Sequence, residues 1–322
     1  MANSVYANAR ASVLQTNLLS VDRINRMIEA SSVDEAIKVL AEINFGDNIS
    51  ISSPLEFEKL IAVEEEKLFD FIKTSSPKEC FKKFILYKND YHNAEVFIKA
   101  KHLKVDVENM LVCEGIYSNE VLKDKIFSDD YSSFPSSLAN ALRFADGEFV
   151  SNKATGVAIG GAFIKALYNE LFILSKADKY LKEVYYTKVD CINVGVALRL
   201  RNYAQAVEFF IPNGRLTNLD LRNLCENSLD ELKSTFVYSP IKDIILRAIE
   251  EAGNKKPLSQ FEKLSDYYPV SLIKKNEYSS SGNIPFLKYV FNKLNDLTNV
   301  RIILVGLING FSQQDIKNRI RW

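Results

Sequence analysis

Carboxylates, amides and strong bases recur in this chain at a repeated spacing. Asp190 and Asn193 stand three residues apart, with Arg199 and Arg201 following. An earlier near-copy reads Asp90, Asn93, Lys99 and Lys101, and a partial third copy has Asp296 and Asn299 with its base moved forward to Arg301. A fourth echo opens the chain, where Tyr6, Asn8 and Arg10 compare with Tyr91, Asn93 and Glu95. The four asparagines recur at intervals of roughly 100 residues, which marks an internal repeat. A carboxylate near bases could do acid/base work or hold a ligand. The same residues also suit helix locking. Asp is a good N-cap, Asn three residues on shares its face, and a base about two turns later complements the helix dipole. The motif is therefore read first as a cap that locks its own helix.

Other constellations that carry chemistry are absent. The only histidines, His92 and His102, fall in no Glu-x-x-His or His-x-x-x-His pattern. His92 is read as a surface partner of the motif's first turn. There is no phosphate-binding glycine loop with its lysine and no nucleophile elbow. Gly156, Gly160 and Gly161 lack a preceding strand and mark a helix start or a close-packing site. The four cysteines, Cys80, Cys113, Cys191 and Cys225, form no C-x-x-C and are expected as buried thiols in a reducing compartment. No metal set and no cofactor is expected. A carboxylate pair hidden among the many acids stays open.

Lys plus Arg and Asp plus Glu both number 41, so the net charge is zero and nothing predicts an electrostatic grip on nucleic acid or anionic lipid. Hydrophobic residues make up 47% against 12 Gly and 8 Pro, which fits a helix-rich globular chain. The opening residues show no basic and apolar leader pattern, so no signal peptide is expected. The most apolar stretch, 154–174, is interrupted by Lys165, Asn169 and Glu170, and no membrane span is expected.

The elements that must position the motif read as helices throughout. Helices are expected over 6–17, 21–30 behind Ser20, and from Ser32 with Asp34 and Glu35 in its first turn. Ser53 and Pro54 open a longer helix whose Glu64, Glu65 and Glu66 read as a solvated face. Residues 78–89 lead into Asp90, and 284–294 lead into the last motif. Gly115 with Ser118, Gly214 with Thr217, and Gly310 with Ser312 each place a Gly turn before a new helix cap. Ser228, Asp230 and Glu231 echo Ser32, Asp34 and Glu35. Further helices are expected over 161–176, 241–252 and 259 to about 268, and residues 279–282 read as a flexible joint. The fold class is all-α. The repeat divides it into three similar helical units, 1–117, 118–216 and 217–322, whose matching ends favour a closed pseudo-threefold arrangement.

Taken in order, these residues resemble the C subunit of bacterial and archaeal V/A-type ATPases, whose eukaryotic counterpart is the d subunit. The likeness runs from Tyr6, Asn8, Arg10, Leu18 and Leu19 through Glu35, Ile37, Leu40, Phe45 and Gly46. It continues through Asp90 and Asn93 with Lys99 and Lys101, then Asp190 and Asn193 with Arg199 and Arg201, and Pro212, Gly214 and Arg215. It closes on Asn299, Arg301, Ile316 and Ile320. Gly195 departs from the pattern, as do the lysines of the first copy where arginine is common. The resemblance implies a funnel of three helical units on the cytoplasmic face of the membrane, peripheral to it. It implies that the protein sits on the proteolipid c-ring and receives the central shaft, made of D- and F-type subunits. It implies no catalysis, no nucleotide and no small-molecule substrate of its own. Lys99, Lys101, Arg199 and Arg201 would be interface candidates if they faced the central hole. Two readings compete: a helical-repeat adaptor for extended peptides, and an all-α enzyme using a carboxylate pair in a deep pocket.

Overall fold

The computed structural model describes residues 4–275 and 282–322, and among them every regular element is helical. The chain forms two compact units, Met1–Lys78 with Ser259–Trp322, and Glu79–Leu258.

The first unit begins with α1 (Ser4–Leu14), α2 (Val21–Glu29), α3 (Val33–Ala41) and α4 (Glu58–Ser75). The second contains α5 (Glu79–Leu103), α6 (Asn119–Phe127), α7 (Ser136–Val150), α8 (Gly156–Ser175) and α9 (Lys179–Leu200). It continues with α10 (Tyr203–Ala206), α11 (Asn218–Glu226), α12 (Leu229–Thr235) and α13 (Lys242–Gly253). The first unit resumes with α14 (Ser259–Lys274), α15 (Ile284–Ile308) and α16 (Gln313–Arg319). The expected joint falls largely at 279–281, outside the described residues.

Hydroxyl caps set many helix starts. Ser20, Ser32, Ser118, Thr155, Thr217, Ser228 and Ser312 each accept the amide three residues on. Each such cap contributes about 1 kcal/mol. Thr217 and Ser228 complete capping boxes, their backbone amides bonded in return by Asp220 and Glu231.

The long helices are hubs. In the first unit α15 packs against α1, α2, α3, α4, α14 and α16. Phe71 of α4 stacks on Phe286 and meets Tyr289 edge-on, both on α15. In the second unit α5 packs on α6, α7 and α8, while α9 packs on α8, α10, α11 and α13. Tyr91, Phe97, Leu138 and Phe163 share its core. Each fully buried large side chain contributes about 1.5–3 kcal/mol, so a helix apolar on most faces belongs at a centre. By length and composition α8 is apolar enough to cross a bilayer. In this fold it lies against α5, α7 and α9.

Two elements differ from expectation. The motif does not begin a helix, because α5, α9 and α15 run without a break through Asp90, Asp190 and Asp296. The cap of α9 is Asp178, whose carboxylate accepts from the Tyr180 amide. Helix α14 also continues past the expected end, through Pro269 to Lys274. Proline removes one intrahelical hydrogen bond. Phe261, Val270 and Ile273 are buried along the same helix, and that packing carries it across the break.

Candidate functional site

Each motif sits mid-helix and grips the backbone of a loop. Asp90 is fully buried and accepts from the amides of Ile116 and Tyr117, at 2.9 and 3.0 Å. One turn on, Asn93 donates to the Val112 carbonyl and accepts the Val112 amide, both at 3.0 Å. The second copy repeats this arrangement. Asp190 accepts from Arg215 and Leu216, and Asn193 makes the two-way pair with Ile211 at 2.8 Å each way. In the third copy Asn299 makes the same pair with Arg321, at 3.0 and 2.9 Å.

The partner of Asp296 comes from the other end of the chain. It accepts the Leu19 amide at 2.9 Å, across a sequence separation of 277 residues. The register matches in all three copies. Tyr117, Leu216 and Leu19 each precede the Ser or Thr that caps the next short helix, α6, α11 or α2. The third repeat is thus completed by the beginning of the chain. Gly310, expected to match Gly115 and Gly214, does something else. It has φ +67° and follows the end of α15, its amide bonded to the Leu307 carbonyl, and a Cβ on it would meet nothing within 4 Å. A Cβ on Gly115 would lie 2.5 Å from Asp90, and one on Gly214 would lie 2.7 Å from Asp190. At those two loops only glycine lets the carboxylate reach the amides.

Burial pushes Asp296 up to about 7, against the pull of the Leu19 amide and of Lys293. Burial also raises Asp190, although the Leu216 and Arg215 amides and the Arg215 guanidinium favour its charge. Arg215 binds Asp190 at 3.1 Å, Glu183 at 2.8 Å and the Thr187 hydroxyl at 2.6 Å.

The basic residues of the motif go to separate places. Lys99 pairs with Glu95 one turn back. Lys101 meets Asp129 at 2.5 Å and Asp146 at 3.3 Å, beside the His102 bond to Asp146 at 2.7 Å. Arg199 is exposed in the last turn of α9. Arg201 adopts the left-handed conformation and donates to the carbonyls of Leu224 and Asn227 where α11 ends. Arg301 forks onto Glu58 at 2.9 Å through two nitrogens. His92 is exposed and bonds the Met110 carbonyl at 3.1 Å.

The first unit also has a half-open cavity of about 730 Å³ between α1, α4 and α15. Glu64 lies on its wall, only 6% exposed, so the expected solvated face is corrected at this residue. Its carboxylate is held by Lys293, by Lys67 at 2.7 Å and by the Gly46 amide at 2.9 Å. Burial would raise this carboxyl, but those partners together hold it below the ordinary glutamate range. Sequence reading missed the pair because Glu64 and Lys293 are 229 residues apart. Arg10 of α1, which the sequence marks as part of the opening echo and of the family likeness, reaches the same cavity.

Such a molecule is a helical scaffold whose repeated Asp and Asn residues are spent on its own backbone. The family model for the ATP synthase (C/AC39) subunit matches residues 7–319. The C subunit of the V-type sodium ATPase of Enterococcus hirae is 22% identical over 313 residues, covering 95% of this chain and 94% of that protein. The C subunit of the A-type ATP synthase of Methanocaldococcus jannaschii is 21% identical over 359 residues, covering 99% and 86%. That of Methanococcoides burtonii is 22% identical over 363 residues, covering 99% and 94%. The chain belongs to the ATP synthase (C/AC39) subunit family. It is a non-catalytic subunit of a membrane-associated V/A-type ATPase complex.

Proposed function

We propose that this protein is the central-stalk coupler of its rotary ATPase. It joins the central shaft, of D- and F-type subunits, to the membrane c-ring during ATP-linked proton or sodium transport. On this reading the three repeats, 1–117, 118–216 and 217–322, surround a pseudo-threefold axis as a funnel, at the cytoplasmic face of the membrane. The motif residues, from Asp90 and Asn93 to Asn299 and Arg301, serve chiefly to stiffen it. One observation carries the reading beyond family membership: the same Asp/Asn grip recurs on all three long helices. A part that transmits torque must not let its loops slip. Buried bonds from side chain to backbone resist slipping, because a broken one leaves an unsatisfied polar group.

The test is co-purification of the chain with the shaft proteins and with the detergent-solubilised c-ring of the same organism. Retention on both, one copy per assembly, is expected. Retention on neither would exclude the coupler and leave the adaptor reading.

A further inference from the structure

Among the described residues, the cavity of the first unit is lined by a cation with no carboxylate partner and by a hydroxyl with no hydrogen bond. Arg10 is half-buried, its guanidinium over the rings of Phe71 and Tyr6 at 5.4 and 5.7 Å. Its Nη1 donates to the hydroxyls of Ser75, at 2.5 Å, and Thr74, at 3.4 Å, which leaves its other two nitrogens for a ligand. No carboxylate lies within ion-pair distance of it among the described residues. The other cations on the wall are occupied, Lys67 by Glu64 and Asp47, and Lys293 by Glu64. Tyr289 lines the same cavity and is 6% exposed, yet its hydroxyl makes no hydrogen bond among the described residues. Burial pushes that hydroxyl up to about 12, so it remains a donor at physiological pH.

A guanidinium without a carboxylate partner and an unused hydroxyl donor lining one cavity define a site for an acceptor with negative charge. We propose that this cavity receives an acidic side chain of a partner protein, its carboxylate bound by Arg10 and Tyr289. The wall selects a single charge. Arg10, Lys67 and Lys293 against Glu64 and Asp70 leave the wall one net positive charge, which a carboxylate monoanion neutralises and a phosphate dianion exceeds. Leu14, Ile43 and Phe45 supply apolar surface for the residues that flank the acid. The volume falls in the usual range for a bound organic group of several side chains' size and far exceeds that of a lone ion. The partner's identity rests on the coupler reading, which makes the tip of the central shaft the occupant.

The experiment measures binding of the full chain to the purified shaft proteins by calorimetry, with melting curves as the folding control. Arg10→Gln should weaken binding by about 10–100-fold, the usual worth of a charge-assisted bond. Arg10→Lys, which keeps the charge and loses the fork, should fall between. Tyr289→Phe removes a hydroxyl with no internal partner, so it should melt like the parent and bind several-fold more weakly. Parent-like affinity in both Arg10→Gln and Tyr289→Phe overturns the site and leaves the coupler reading intact. If the parent chain itself does not bind the shaft, the coupler reading and this occupant fall together. Inorganic phosphate is the second probe. If it raises the melting temperature of the parent but not of Arg10→Gln, the site holds a free anion and the protein-segment proposal is overturned.

Discussion

Aspartate and asparagine in the repeated motif face different backbone groups, which makes them non-interchangeable. Asp90 and Asp190 each accept two backbone amides from their loops, and Asp190 accepts the Arg215 guanidinium as well, so an acceptor-only carboxylate suits them. Asn193 faces both the amide and the carbonyl of Ile211, so it must accept and donate at once. Asn193→Asp sets a carboxylate oxygen against that carbonyl. A loss of about 2–3 kcal/mol in urea unfolding is expected at neutral pH, and protonating the new carboxyl in acid should restore part of it. Equal stability of variant and parent at pH 7 would show that the two-way pair contributes nothing. Asp296 gives a second prediction, with its sign set by burial. Its folded value of about 7 lies above the 3.8 of an ordinary aspartate. Protonation therefore favours the folded state. The contribution is full below pH 3.8 and is lost as pH rises through 7. The whole difference amounts to at most about 4 kcal/mol. Asp296→Asn can still accept the Leu19 amide without charge. The stability gap between variant and parent should then widen in the variant's favour from pH 4 to pH 8, and a flat gap would refute the assignment.

Between elements, two contacts hold distant parts of the chain together. Gly214 lies under Asp190, and its replacement by alanine drives a methyl into the carboxylate. Gly214→Ala should destabilise by about 1–3 kcal/mol, as overpacking usually does. Amide exchange should speed up at Arg215 and Leu216 before it does in α9. The Glu64–Lys293 pair joins α4 to α15, with both side chains 8% exposed. Lys293→Met leaves a buried carboxylate with only Lys67 as its cation. The expected loss is about 3–5 kcal/mol, and adding Glu64→Met should recover most of it. If the double variant is no more stable than the single one, desolvation of the unpaired charge is not the cause.

At the scale of the whole molecule, the ends of the chain belong to one unit. Residues Met1–Lys78 and Ser259–Trp322 are compact together, and Leu19 occupies on α15 the place that Tyr117 and Leu216 occupy on α5 and α9. Asn8 adds a bond to the Gly282 carbonyl at 2.8 Å, and Gln15 adds one to Pro285 at 3.3 Å. Deletion of residues 1–20 should therefore expose the amides of α15, far away in sequence. Protection of α5 and α9 should persist, since their loops come from their own unit. Hydrogen exchange by mass spectrometry distinguishes that pattern from a uniform loss.

Sequence alone determined the helical class, most helix starts and the existence of the repeat. Those depend on local forces: hydroxyl caps such as Ser20, Ser118 and Thr217, the 3.6-residue apolar period, and the spacing of Asp and Asn. The family was legible in the same way, from motifs in order along the chain. Only the tertiary structure decided what the motif does. A buried mid-helix Asp and an N-capping Asp look alike in sequence, and the difference lies in whether a loop 26 residues on, or 277 residues back, returns to meet it. Glu64 could not be told from its neighbours Glu65 and Glu66 for a like reason. Its burial is compensated by Lys293, and that charge is supplied by folding rather than by proximity along the chain.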